Sequence, residues 1–148
     1  MSKFIDASPE AGKAFYQSFH DKGKVVMLNL LKFKDKADYT NLEELKPEAE
    51  ISGEEAYQLY MDSTLAELEK AGSRILYYGK SNSFLIGPDS EKWDAILLVE
   101  HESVKKFMEF AQSKAYLKKA GHRTAALEDS RLLPTNAIKD YSQTTLSS

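Results

Sequence analysis

Two segments that are apolar at almost every position set the strongest limit on what this chain can fold into. Residues 25–33 read VVMLNLLKF and residues 93–100 read WDAILLVE. Their length and β-branched residues predict strands, and a strand that is apolar at both odd and even positions is covered on both faces of its sheet. A chain of 148 residues is long enough for one domain with such a core.

Helix and strand signals alternate along the rest of the chain. Ser8, Pro9 and Glu10 form a helix start, and Ser52 with Glu55 forms a capping box. Helices are predicted over residues 9–22, 54–71 and 103–127, the last interrupted at Ser113 and Gly121, and further strands over residues 74–80 and 131–134.

After the first helix the order is strand, helix, strand, strand, helix, strand, which is the order of the ferredoxin-like fold. Right-handed crossovers place both main helices on one face of a four-stranded antiparallel sheet. We therefore predict an α+β, ferredoxin-like βαββαβ domain over residues 24–134. An N-terminal helical extension (1–23) precedes it, and a C-terminal tail (135–148) follows it.

The second face of this sheet needs a cover, because two helices can hide only one face. The simplest cover is a second copy of the chain, so we predict a homodimer through the sheet faces, with a barrel-like interior. The N-terminal helix could instead cover part of this face.

Composition excludes several classes of protein. The formal net charge is -3 with acids and bases interspersed, which does not favour nucleic acid as a partner. There is no cysteine, and no apolar run is long enough to span a bilayer, so we expect no disulfide, no membrane partner and a cytoplasmic location. The three histidines lack metal-site spacing and no nucleotide-binding motif occurs, so we expect neither metal nor cofactor.

Residues 121–133, GHRTAALEDSRLL, hold the densest mixture of chemical groups, including two of the three arginines. Arginine presents a planar fork that suits a carboxylate or phosphate, so Arg123 and Arg131 are candidates for binding a small anion. The alternative is structural: both arginines pair with Glu128 and Asp129 and hold a helix end to a strand.

The same stretch contains a candidate catalytic pair. His122 and Asp129 are seven residues apart and share one face if the helix continues to Asp129. A carboxylate that orients a histidine is a familiar general-base arrangement. The alternative is a histidine near a helix C-terminus, where the helix dipole favours its charged form.

Three other positions have both a functional and a structural interpretation. Asn29 interrupts an apolar strand, where it would either line a pocket or satisfy backbone groups. Trp93, at a strand start, would wall a pocket or pack in an interface. The polar residues 34–51 form a long connection of the kind that often acts as a lid. His20 and His101 have no partner in sequence and are expected at the surface.

Four segments resemble domain-of-unknown-function family 1330 of the dimeric α+β barrel superfamily: VVMLNLLKF, SRILYYGK, FLIGP followed by WDAILLVE, and above all HRTAALEDSRLLP. The resemblance covers roughly residues 24–134 and implies a ferredoxin-like fold and a dimer. It implies no reaction, because the superfamily includes cofactor-free monooxygenases, lactone isomerases and haem-degrading enzymes, and fold alone does not choose among them.

Two functions follow from these observations. The first is a cofactor-independent enzyme that acts on a small anionic or carbonyl-bearing metabolite by acid/base chemistry. The second is a non-catalytic homodimer that binds a small ligand or only assembles. A pocket that exposes Asn29 and a guanidinium would favour the first, and a filled interior with closed ion pairs would favour the second.

Overall fold

The computed structural model describes residues 2–141, in which four strands form one antiparallel sheet. They are β1 (Val25–Phe33), β2 (Arg74–Lys80), β3 (Ala95–His101) and β4 (Leu127–Thr135), in the order β2-β3-β1-β4. This order confirms the predicted ferredoxin-like α+β fold. The sheet is open, with β2 and β4 as its edges. Residues 142–148 of the predicted tail lie outside the described residues.

Five helices complete the described part of the chain: α1 (Pro9–Phe19), α2 (Gly53–Lys70), α3 (Val104–Gln112), α4 (Lys114–Lys119) and α5 (Gly121–Ala126). Four of them begin at a serine whose side chain accepts a backbone N–H of the first turn, namely Ser8, Ser52, Ser103 and Ser113. These caps confirm the helix starts predicted from the sequence. Within residues 2–141, none of the helices is both long and apolar enough to cross a bilayer.

The boundary between the last helix and the last strand lies earlier in the sequence than predicted. The helical signal was expected to run to Leu127 and the strand to begin at Arg131, whereas α5 ends at Ala126 and β4 begins at Leu127. The physical reason is the partner strand, because β1 pairs with β4 as far as Phe33 opposite Leu127. Leu127 is fully buried there, so tertiary packing overrides the local helical preference.

The two faces of the sheet have different surroundings. On β1 the side chains of Val25, Met27 and Leu31 point to the helices and are buried. Phe15 and Phe19 of α1 pack against Val25 and Met27, so α1 lies on this side and does not cover the other face. The idea that the N-terminal helix covers the second face is therefore wrong.

The opposite face, here called the open sheet face, carries apolar residues from all four strands. Its members are cross-strand neighbours: Val26, Leu28, Leu30, Tyr77, Ile96, Leu98 and Leu133. Tyr77 and Leu133 are each 57% exposed. An apolar face of this extent on a single chain is typical of a surface that is covered in an assembly.

His101 lies in the core, and its predicted surface position is wrong. The residue is 2% exposed, its Nδ1 is 2.6 Å from the hydroxyl of Ser73, and the ring of Phe107 packs edge-on against it. Burial lowers the pKa of His101 to about 4, so the ring is neutral near pH 7. His20, by contrast, is exposed and stacks on Tyr16, as expected of a surface residue.

Backbone groups of β1, α2 and α5 meet at Gly53. The N–H of Gly53 donates to the carbonyl of Lys34, and the N–H of Lys34 donates to that of Ala126, each at 2.9 Å. A Cβ atom on Gly53 would overlap the Lys34 carbonyl oxygen and lie 2.7 Å from the Ala126 oxygen. Only glycine lets the three segments approach this closely.

Gly53→Ala should therefore destabilise the fold by about 3 kcal/mol or more, because the clashing atoms belong to backbone that cannot move aside. Urea unfolding followed by circular dichroism measures the change. Gly12→Ala is the matched control, since a Cβ there meets nothing within 4 Å, and we expect it to stabilise α1 by up to about 1 kcal/mol. Equal effects of the two substitutions would contradict the role of this junction.

Candidate functional site

The structure does not bring His122 and Asp129 together. The helix that was predicted to align them ends at Ala126, and Asp129 lies in β4. The His122 ring contacts Tyr39, whereas the Asp129 carboxylate accepts hydrogen bonds from the backbone N–H of Phe4 and from Arg131. The expected His–Asp geometry is thus absent, although a catalytic role for either residue stays a prediction.

His122 fastens the long loop over residues 34–51 to α5. Its Nδ1 is 2.7 Å from the hydroxyl of Tyr39, and both side chains are buried. The backbone adds a second link, in which the N–H of Asp38 donates to the carbonyl of Ala125. Burial lowers the pKa of His122, with help from the charge of Lys119, and burial raises the pKa of Tyr39. Both groups are therefore neutral near pH 7.

Residues 3–6, here called the N-terminal strap, lie along β4. Lys3 forms an ion pair with Glu128. The N–H of Phe4 donates to Asp129 at 2.8 Å, and the Ser130 hydroxyl donates to the carbonyl of Phe4 at 2.6 Å. Both backbone groups of Phe4 are satisfied, so part of the 121–133 stretch serves to hold the N-terminal strap.

Arg131 takes part in the same contact. Its Nη1 donates to the Asp129 carboxylate at 2.7 Å and to the Ser130 carbonyl at 2.8 Å. Its guanidinium carbon lies 4.9 Å from the ring centres of both Phe4 and Trp93, a cation–π contact on each side. Burial alone would raise the pKa of Asp129, but hydrogen bonds from Phe4, Arg131 and Ser130 hold it below its usual value. The predicted pairing of Arg131 with Asp129 is confirmed.

Arg123 has a different environment, and its predicted pairing with Glu128 or Asp129 is wrong. Its Nη1 is 3.6 Å from Oδ1 of Asp6, the last residue of the N-terminal strap. The Arg123 side chain is 16% exposed, whereas that of Asp6 is 82% exposed. The guanidinium makes no hydrogen bond to any other side chain or carbonyl within residues 2–141, so most of its donors lack a protein partner.

The charge of Arg123 interacts with two tyrosines of a cluster, Tyr57 and Tyr60. The Tyr57 ring is 5.1 Å from the Tyr60 ring and 6.2 Å from the Tyr78 ring, and the hydroxyls of Tyr60 and Tyr116 are 2.9 Å apart. Burial raises the pKa of Tyr57 and Tyr60, and the positive charge of Arg123 offsets part of this rise. Tyr57 is 1% exposed, and its hydroxyl has no hydrogen-bond partner within residues 2–141.

Asn29 faces the helices, between two groups of buried side chains. Met27 belongs to the cluster under α1 and α3, and Leu31 belongs to the larger cluster under α2 and α5. The Asn29 side-chain amide donates to the carbonyl of Leu97 on β3 at 3.1 Å and, at the longer distance of 3.5 Å, to that of Met27. The observed contacts are therefore those of the structural interpretation, an amide on backbone groups.

Two clefts of about 430 and 420 Å³ open elsewhere on the described surface. The second is formed by the 34–51 loop, and the first lies where the ends of β1 and β2 and the start of β3 approach α2. Charged and phenolic groups line the first: Lys34, Glu54, Tyr78, Lys80 and Asp94. Burial raises the pKa of Tyr78 to about 12, and the charge of Glu54 adds to the rise.

Sequence reasoning did not single out the first cleft as a site. Its only sequence signals are Gly79, which marks a close backbone approach, and the long connection that follows Phe33. Neither cleft is lined by Asn29, His122 or either of the candidate arginines.

The fold and these contacts define a ferredoxin-like α+β protein whose sheet is open on one face. Two solved structures are similar to most of the chain, both of RPA0582 from Rhodopseudomonas palustris, a protein described as of unknown function. One is 31% identical and covers 94% of this chain and 100% of its own, with a TM-score of 0.80. The methylated form is 31% identical and covers 95% and 99%, with a TM-score of 0.81. The chain belongs to the same family as RPA0582.

A more distant likeness is to a dimeric, ferredoxin-like protein of unknown function from Bacteroides fragilis. It is 14% identical and covers 77% of this chain and 96% of its own, with a TM-score of 0.48. No protein-family model matches the sequence, and no functionally curated protein does.

Tyr39→Phe tests whether the bond to His122 holds the 34–51 loop. The substitution leaves the buried Nδ1 of His122 without its partner, so we expect a loss of about 1–3 kcal/mol in urea unfolding at pH 7. Tyr16→Phe is the control, because Tyr16 is 48% exposed and should change stability by less than about 0.5 kcal/mol. Indistinguishable stabilities for the two variants would sink this role.

Proposed function

We propose that this protein is a homodimer that binds a small carboxylate at Arg123 without a cofactor. The observation that supports this function is the state of the Arg123 guanidinium. It is mostly buried, has one long ion pair to an exposed carboxylate and retains free donors within residues 2–141. A guanidinium carries five N–H donors in a planar fork, and a carboxylate accepts two of them in parallel.

The surroundings of Arg123 favour a singly charged ligand with an apolar or aromatic body. The hydroxyls of Tyr57 and Tyr60 are protonated near neutral pH, and burial raises their pKa further, so these residues add ring surface and neutral hydrogen-bonding groups rather than charge. Aromatic rings commonly line small-molecule sites, and a few polar groups orient the ligand. The hydroxyl of Tyr57 is the polar group available for this purpose.

The proposed dimer forms through the open sheet face. This face carries apolar side chains on all four strands, with Glu100 opposite Val26 and Arg131 opposite Leu30, and an identical face on a second copy would cover it by two-fold symmetry. Burial stabilises an interface by roughly 25 cal/mol for each Å² of apolar surface removed from water. The resemblance of the strands and the HRTAALEDSRLLP segment to the dimeric family 1330 supports the same assembly.

An acid/base enzyme is the second candidate, and the bond between Tyr39 and His122 favours it. A hydrogen bond at Nδ1 fixes the imidazole ring, which is the task that Asp129 was expected to perform. Burial lowers the pKa of His122 and keeps the ring neutral, as a general base requires. Proton transfer would then use Nε2, in the tautomer whose Nδ1–H donates to the Tyr39 oxygen. We assign Arg131 and Trp93 no role in ligand binding or proton transfer, because Arg131 contacts Phe4 of the N-terminal strap and Trp93 packs on the Arg131 guanidinium.

Leu98→Glu tests the dimer. Leu98 lies opposite Leu28 in the middle of the open sheet face, where a buried carboxylate without a partner should weaken association at least about a hundredfold. Sedimentation equilibrium should give twice the chain mass of 16.7 kDa for the wild type and the chain mass for the variant. Leu117→Glu, at a residue 56% exposed on α4, should remain dimeric. A monomeric wild type would refute the assembly.

Benzoate is the probe for the carboxylate site, and calorimetric titration measures its affinity. Arg123→Gln should weaken binding at least about tenfold, because hydrogen bonds to charged groups contribute about 1.5–3 kcal/mol. Arg74→Gln is the matched control, since this exposed arginine pairs with Glu100 and should leave the affinity unchanged. Unchanged affinity in Arg123→Gln would place the ligand elsewhere, and the absence of any wild-type binding of benzoate or acetate would refute the function.

A further inference from the structure

The N-terminal strap is held firmly at Phe4 and Ile5, and by ion pairs of exposed side chains at Lys3 and Asp6. Lys3 has its ion pair with Glu128, Phe4 has two backbone hydrogen bonds and the cation–π contact, and Ile5 packs against the larger core cluster. Within residues 2–141, the side chain of Asp6 has only the 3.6 Å ion pair with Arg123, and it is 82% exposed.

The contact between Asp6 and Arg123 is of the kind that a competitor can replace. The Asp6 carboxylate is mostly exposed to water. An ion pair with an exposed partner changes a folding or binding constant by only about twofold to fivefold. The 3.6 Å separation of Nη1 and Oδ1 is longer than the 2.7–2.9 Å of a direct charge-assisted hydrogen bond. A free carboxylate in bidentate geometry would bond the same guanidinium more closely.

We infer that Asp6 occupies the ligand position at Arg123 in the free protein, and that a small carboxylate binds by displacing the Asp6 side chain. This inference rests on the proposed function. The group on Asp6 is chemically the same as the group proposed for the ligand, so its location marks where the ligand carboxylate lies. It also explains why neither described cleft opens onto Arg123: the N-terminal strap covers the site.

The displacement is local to Asp6. Ile5 is packed on one side of it, and on the other side Ser8 caps α1 by accepting the N–H of Ala11 at 3.1 Å. Anchored neighbours on both sides mean that the Asp6 side chain rotates away while Phe4 keeps its bonds to β4. The N-terminal strap therefore acts as an internal competitor that sets the affinity, and it does not need to unfold.

Asp6→Asn removes the competing charge at nearly constant shape and tests this inference. We expect the variant to bind benzoate about twofold to fivefold more tightly than the wild type in calorimetric titration. Glu10→Gln is the matched control, because it removes the same charge from an exposed residue in the first turn of α1 and should bind as the wild type does. Hydrogen exchange of the Phe4 amide should be equally slow in both variants, since the bond to Asp129 is retained.

The outcomes of this experiment distinguish the competitor role of Asp6 from the carboxylate-binding role of Arg123. If Asp6→Asn binds benzoate no better than Glu10→Gln while Arg123→Gln still loses binding, the competitor role is overturned and the carboxylate site stands. If Asp6→Asn speeds Phe4 exchange, the N-terminal strap moves as a unit and local displacement is wrong. If none of the proteins binds benzoate or acetate, the carboxylate function fails, and the inference fails with it.

Discussion

The structure depends on one constraint: a sheet that is apolar on both faces, in a chain whose helices cover only one. The helices use the face of Val25, Met27 and Leu31, and the described part of the chain has no further element to place over Leu28 and Leu98. The remaining apolar surface costs free energy while it contacts water. Burying the open sheet face would therefore lower the free energy of the chain, and this hydrophobic driving force for association does not depend on specific contacts with a partner.

The 121–133 stretch organises the molecule by fixing segments that are distant in sequence. Asp129 holds the backbone of Phe4, which is 125 residues away, and His122 holds Tyr39, which is 83 residues away. The contact between His122 and Tyr39 satisfies polar groups that would otherwise be costly to bury. The density of charged and polar residues in this stretch thus reflects mainly structural demand, and Arg123 is the arginine of the stretch whose guanidinium makes no hydrogen bond within residues 2–141.

The sequence predicted the elements of the fold more reliably than the partners of its side chains. Serine caps and the two fully apolar strands are local signals, so the starts of α1 and α2 and the strand order could be predicted. The end of α5 could not, because the buried pairing of Leu127 with Phe33 decides it. His101 was misplaced for the same reason: its partners Ser73 and Phe107 come together only in three dimensions.

The two arginines of this stretch show why residue type alone does not locate a site. Both were candidates for holding an anion. The guanidinium of Arg131 donates to a carboxylate and to a backbone carbonyl, and it also contacts the rings of Phe4 and Trp93. A ligand there would have to break contacts that hold the N-terminal strap. Burial raises the pKa of Tyr57 and Tyr60, and the charge of Arg123 offsets part of this rise. Within residues 2–141, the one ion pair of Arg123 is with the exposed carboxylate of Asp6. A ligand site needs a group with hydrogen-bonding capacity that the fold leaves unused. Arg123 meets this condition better than Arg131, because its guanidinium makes no hydrogen bond within residues 2–141, whereas Nη1 of Arg131 makes two.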